Sequence, residues 1–258
     1  MDLSAFPPFA VVLDGLSSSV ALLASLAEPV AGDAASAVAV VLLTLVVRLV
    51  LVPVGASQVR AELGRRRLAP RVAELNRRVT DPQERSRALT ELYSSAGVSP
   101  LAGCLPVLAQ TPVLIAVYSV FAHPSIAGHA NALLGETLAG VALGANLPTT
   151  LAAGGAPVWP YLVLLAVLAV VVEVGRRLNE RFARTGTGGV ADPTPAVPGM
   201  STALRVLPFV SVAFAALAPL AAALYLVTSA TWTVVERVVL RRVLGRGPSP
   251  VPGEAAAA

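Results

Sequence analysis

Arg48 stands in the run Thr44-Leu-Val-Val-Arg48-Leu-Val-Leu-Val-Pro53, where it is the only charge and Thr44 the only other polar side chain. A guanidinium in apolar surroundings is suited to one task, attracting and holding a carboxylate, because Coulombic attraction strengthens as the dielectric falls. Placing it near a bilayer centre costs from about 2.5 to well over 10 kcal/mol, so such a residue normally faces water or protein. Snorkelling to the interface would account for the same position, since only about six to nine residues separate it from the end of its apolar run. Thr44, four residues earlier, shares its helical face and extends a polar stripe, which favours a hydrated groove. Near the other end, Tyr225, Thr228, Ser229 and Trp232 recur at i, i+3, i+4 and i+7, giving one polar and aromatic face. Helix packing through Ser and Thr produces the same pattern. Gln110, flanked by apolar residues, can bond a neighbouring helix or line a cavity.

No hydrolytic constellation accompanies these residues. His123 and His129 lie without a partnering pattern, and neither a Walker A sequence nor HExxH is present. Cys104 is the single cysteine, so there is no CxxC site and no disulfide within the chain. The residues predict no enzyme, no metal and no cofactor.

The elements that would position these groups are apolar helices. The chain has 258 residues, 55% hydrophobic and 13% charged, with mean hydropathy +0.74. A soluble domain carries about a quarter charged residues. The apolar material falls into blocks near 36–57, 99–121, 157–175, 203–218 and 219–240, long enough for helices crossing a hydrocarbon core of about 30 Å. Residues 203–240 would make one helix of roughly 57 Å, and Pro219 would break it. With Arg205 before the block and Arg237, Arg241, Arg242 and Arg246 at its end, it reads as a two-span hairpin.

The arginines also orient the chain. Residues 58–97 hold nine and 176–184 hold four, while 1–35 and 122–157 hold none. Cationic segments stay cytoplasmic, which predicts five spans with the N-terminus outside and the C-terminus inside. Residues 1–35 then read as an outer interfacial helix and lead-in, because Pro7, Pro8, Asp14 and Ser17 to Ser19 interrupt the apolar pattern, with a sixth span over the first 31 residues as the alternative. The Gly-rich outer loop, whose only charge is Glu136, covers 122–156, a cytoplasmic loop 176–202 and a cytoplasmic tail 241–258. The stretch 58–97 reads as a cytoplasmic helical hairpin. Asp81 is its expected N-cap, with Pro82 next and Glu84 closing a capping box; Glu62/Arg66 and Glu74/Arg78 are spaced as i,i+4 pairs. Its Arg65, Arg66, Arg67, Arg77 and Arg78 suit anionic lipid, ribosomal RNA or a nascent chain, though a solvated charged loop would look much the same.

These residues, in this order, resemble the YidC/Oxa/Alb family of membrane protein insertases, in its short Gram-positive-type form. The resemblance runs from about Thr44 to Arg242. It is carried by Thr44-x-x-x-Arg48 with Pro53, by Leu68-x-Pro70, and most specifically by Tyr93-x-x-x-Gly97-Val-Ser-Pro100-Leu-x-Gly103-Cys-Leu-Pro106-x-x-x-Gln110-x-Pro112 with Tyr118. Leu207-Pro208, Pro219 and Leu224-Tyr225-x-x-x-Ser229 complete it. The resemblance implies an ATP-independent, multi-pass insertase of the bacterial plasma membrane, with Arg48 in a groove open to cytosol and lipid. Thr44, Gln110, Tyr225, Ser229 and Trp232 would line that groove, with nascent membrane proteins, the ribosome, the Sec translocon and membrane lipids as partners. It also implies no large outer domain before the core. From the residues alone, a small transporter or channel and an assembly factor of a membrane complex stay open.

Overall fold

The computed structural model describes residues 7–97, 115, 118–120, 125–126, 129–155, 157–184 and 207–245. Gln110 and most of the expected span 99–121 lie outside them, as do Arg205, 185–206 and the tail beyond 245. The described residues are mostly helical. They divide into two compact units, Met1–Val50 with Ala109–Gly175 and Ser201–Val234, and Leu51–Leu108 with Arg176–Met200 and Val235–Ala258.

In the first unit, α1 (Pro7–Ala31) meets α2 (Ala35–Val50) through a 3-10 turn at Gly32–Ala34. Gly32 adopts φ +51°, a left-handed conformation that glycine enters without steric cost. The chain reverses there, and α1 packs on α2. Leu13 and Val20 of α1 join Ala37, Ala39 and Val40 of α2 in the core, together with Val120, Tyr161, Leu220 and Tyr225. The buried face of α2 is made of small residues, Ala35, Ser36, Ala37 and Ala39, followed by Val40 and Thr44. Small side chains let helices approach closely when lipid removes the ordinary hydrophobic drive to associate.

The large apolar side chains point the other way. Leu42, Val46 and Leu49 of α2 are exposed, as are Leu162, Val163, Val167, Val170 and Val174 of α6 (Trp159–Arg184). So much outward apolar surface would drive a water-soluble chain to aggregate; it suits a helix face bathed in hydrocarbon. Among the described residues, two helical stretches, Leu13–Val50 and Leu220–Leu244, are long and apolar enough to cross a membrane.

The segment expected to be a Gly-rich linker is structured. Ser125–Ile126 (β1) pairs antiparallel with His129–Ala130 (β2), and Thr137–Leu138 (β3) with Val141–Ala142 (β4). Ala139 and Gly140 turn the second hairpin with φ of 52° and 81°, the signs a two-residue type I′ turn requires. A short helix, α5 (Leu147–Ala153), follows. Asn146 caps it in a reciprocal box with Thr149. Two further helices, α7 (Val210–Leu217) and α8 (Leu220–Leu244), are separated by Ala218 in extended conformation and by Pro219. Pro219 breaks the long apolar block where its missing N–H and fixed φ require.

The expected helix 36–57 is divided in the structure. α2 ends at Val50, and α3 (Val52–Arg78) begins after Leu51. Pro53 cannot donate a helical hydrogen bond, and the chain uses the Leu51 carbonyl to restart, accepting from Val54 N at 2.9 Å and Gly55 N at 3.1 Å. Within the second unit, α3 runs through the arginine-rich stretch to Arg78, and α4 (Pro82–Ser95) packs against it. Asp81 caps α4 by accepting from Glu84 N at 2.7 Å. Arg85 reaches back to the Val79 and Thr80 carbonyls at 3.0 and 3.2 Å, satisfying acceptors beyond the end of α3. Replacing Asp81 with Ala should therefore destabilise the start of α4 by about 1 kcal/mol. Faster amide hydrogen exchange at Glu84 and Arg85, with little change in α3, would show it.

Candidate functional site

Within the first unit, Arg48 lies near the end of α2 and reaches α8. Its Nε donates to Ser229 Oγ at 3.1 Å, and its Nη2 donates to the same oxygen. A serine hydroxyl has two acceptor lone pairs and one proton, so it can receive both N–H groups. The Tyr225 hydroxyl, one helical turn earlier on α8, interacts with the Ser229 hydroxyl and feels the charge of Arg48. Tyr225 and Ser229 are both buried. The i,i+4 spacing read from the sequence thus places two hydroxyls on one face of α8, and Arg48 meets Ser229 there.

Thr44 is buried one turn before Arg48, but its hydroxyl donates to its own helix, to the Val40 carbonyl at 2.6 Å. Its proton is spent on the backbone, and it contributes to packing at the site. Thr228 and Thr233 of α8 do the same, donating to the Leu224 and Ser229 carbonyls. Trp232 is half-buried and lies three residues beyond Ser229 on α8. The arrangement is a cation held by a serine hydroxyl and walled by apolar helix, and such a charge can attract an anion.

The hairpin arginines divide by environment. Arg67, Arg77 and Arg78 are exposed and Arg65 is half-buried; Arg78 pairs with Glu74 at 2.5 Å on the surface, a contact worth only a few tenths of a kcal/mol. Arg66 is held within the second unit. Its guanidinium carbon lies 3.6 Å from the centroid of Phe182 in α6, and its Nη2 donates to the Phe182 carbonyl. Arg241 of α8 also stacks on this ring, its guanidinium carbon 4.1 Å from the centroid. Arg241 donates to Glu62 Oε2 at 3.2 Å and Oε1 at 2.7 Å, and to Asn179 Oδ1 at 2.8 Å. Its side chain is only 9% exposed. Glu62 therefore serves Arg241, a partner 179 positions away, where spacing pointed to Arg66. Sequence reasoning missed this cluster; the available signal was Phe182, a lone aromatic set among arginines.

A family model described as the 60Kd inner membrane protein matches residues 28–246. The chain belongs to this family, that of the YidC/Oxa/Alb insertases. It is accordingly an integral membrane protein. It is 26% identical over 220 residues to the membrane protein insertase YidC of Methylobacillus flagellatus, covering 84% of this chain and 34% of that one. Over 85 residues it is 36% identical to the membrane protein insertase YidC of Clostridium perfringens, covering 33% of this chain and 36% of that one. Over 97 residues it is 33% identical to that of Oceanobacillus iheyensis, covering 35% and 38%. The chain spans about a third of the length of the curated relatives it matches.

The arginine–aromatic cluster yields a direct test. Glu62→Ala leaves a nearly buried guanidinium without its carboxylate and should cost about 1–3 kcal/mol, read as a lower unfolding midpoint in detergent. Arg241→Ala in the same chain should add much less than it does alone, because both changes remove one interaction.

Proposed function

We propose that this protein is an ATP-independent membrane protein insertase, and that Arg48 is the charge by which it draws the acidic outer tail of an incoming chain into the bilayer. The observation that carries the reading is the fixing of Arg48 by Ser229, beside Tyr225, between helices whose outward faces are apolar. Attraction between unit charges 4 Å apart is about 1 kcal/mol in water and about 4 kcal/mol at an effective dielectric of 20. A carboxylate approaching a partly dehydrated arginine gains from that difference. A groove containing the arginine also shortens the hydrocarbon path that a polar tail must cross.

The proposed arrangement has five spans, the N-terminus outside and the C-terminus inside, with α3 and α4 as a cytoplasmic hairpin. The distribution of arginines along the chain supports it, since 1–35 and 122–157 carry none. Arg48, Tyr225, Ser229 and Trp232 line the path, with Thr44 packed behind Arg48 and Gln110 contributing from the second span. The substrates are nascent membrane proteins, received from the ribosome alone or beside the Sec translocon. The site of action is the bacterial plasma membrane. Exposed Arg67, Arg77 and Arg78 are the recruiting charges of the hairpin, with half-buried Arg65 beside them, while Arg66 holds its root through Phe182. The names borne by the relatives, membrane protein insertase YidC, agree with this reading.

The test is insertion of a single-span protein with a short acidic outer tail into proteoliposomes containing only this protein, scored by protease protection. Wild type should insert it, and Arg48→Ala should reduce insertion by about tenfold or more, the equivalent of losing roughly 1.4 kcal/mol or more of attraction. Insertion unchanged by Arg48→Ala would refute the electrostatic role. Insertion no better than in empty liposomes, across several such substrates, would refute the insertase reading.

A further inference from the structure

Ser229 can meet Arg48 only if α8 begins at the right depth, and α8 does not set its own beginning. Its first N–H groups have no acceptor within the helix, and no capping side chain precedes them, since Ala218 and Pro219 stand there. The acceptors come from the outer segment: Leu220 N donates to the Ala145 carbonyl at 2.8 Å and Ala221 N to the Leu143 carbonyl at 3.1 Å. Leu143, Leu220 and Ala221 are all fully buried. Tyr161, near the start of α6 and fully buried, donates its hydroxyl to the same Ala145 carbonyl. One carbonyl with two lone pairs thus joins α6, the outer segment and α8. Ser229 lies nine residues from Leu220, about 14 Å along a stiff helix, so a shift at the Ala145 carbonyl is delivered to Ser229.

We propose that Tyr161 is a positioning residue for the Arg48–Ser229 pair, acting through the Leu143–Ala145 strap that fixes the start of α8. Gly144 lies at the middle of the strap, where an added Cβ would meet the Leu134 side chain. Gly144→Ala therefore disturbs the same point by a second route. The activity arm of the test rests on the reading of Arg48 given above, and the geometric arm does not.

The geometric arm uses Cys104→Ser protein spin-labelled at Leu42→Cys on α2 and Thr231→Cys on α8, both exposed positions, in lipid nanodiscs. Tyr161→Phe and Gly144→Ala should each shift or broaden the distance distribution. The activity arm compares substrates with acidic and uncharged outer tails in proteoliposomes. Tyr161→Phe should lower insertion of the acidic-tailed substrate about three- to tenfold, the equilibrium effect of one neutral hydrogen bond. It should spare the uncharged one and add little to Ser229→Ala. An unchanged distance distribution in both variants overturns the proposal. So does an equal fall for both substrates that adds fully to Ser229→Ala, which would mark a general loss of fold. A shifted distribution with insertion indifferent to Arg48→Ala would retire the groove reading and leave Tyr161 as the residue that places the pair.

Discussion

Where no water can enter, every backbone N–H must find an oxygen within the protein, and the first unit is organised around one place where this is hard. Pro219 opens a helix amid apolar packing, with the residues from Ala218 to Ala223 almost wholly withdrawn from solvent. The segment between β4 and α5 meets the demand with backbone carbonyls. That requirement explains why an uncharged, glycine-containing segment is ordered at all. Its two buried residues, Val141 and Leu143, bring apolar anchoring, and the hairpin turn and the Asn146 cap set its direction. The start of α8 is thus tied to this segment, and the same helix carries Ser229, which meets Arg48.

The second constraint is the cost of the arginine itself. Small residues on α2 let neighbouring helices pack close to the backbone, and Ser229 then meets Arg48 as a direct hydrogen-bond partner. Packing that reverses the usual order, with alanines inside and leucines and valines outside, is what lipid as solvent permits. It is also what makes a close helix–helix approach to a charged residue possible.

Much of this was legible in the residues, and the boundary of legibility has a physical cause. Arg48, Tyr225 and Ser229 could be singled out because helical periodicity is local, and i,i+4 spacing places side chains together whatever the fold. Pro219 as a break and Asp81 as a cap are equally local. Glu62 was read as the partner of Arg66 by the same rule, and there the rule failed. Bidentate donation from the nearly buried Arg241, steadied by Phe182 and Asn179, outweighs a surface i,i+4 contact of a few tenths of a kcal/mol. Thr44 shared the right face, yet its hydroxyl turned to the nearest carbonyl. The division at Leu51 followed from Pro53, which was visible but was read as lying within a single span. The role of the Leu143 and Ala145 carbonyls had no local signature, because they matter only once α8 is beside them.

Two arginines, Arg48 and Arg241, show how one residue type serves opposite ends. Arg241 is held by Glu62, whose carboxylate offsets its charge, and by the face of Phe182; such a group binds helices together and projects little field. Arg48 donates through Nε and Nη2 to the hydroxyl of Ser229, a neutral acceptor that orients the guanidinium. This contact supplies geometry, where the contact of Arg241 with Glu62 supplies geometry and opposite charge together. The distinction between an arginine paired with a carboxylate and one oriented by a hydroxyl lies in the chemistry of the partner, and helical spacing alone does not reveal it.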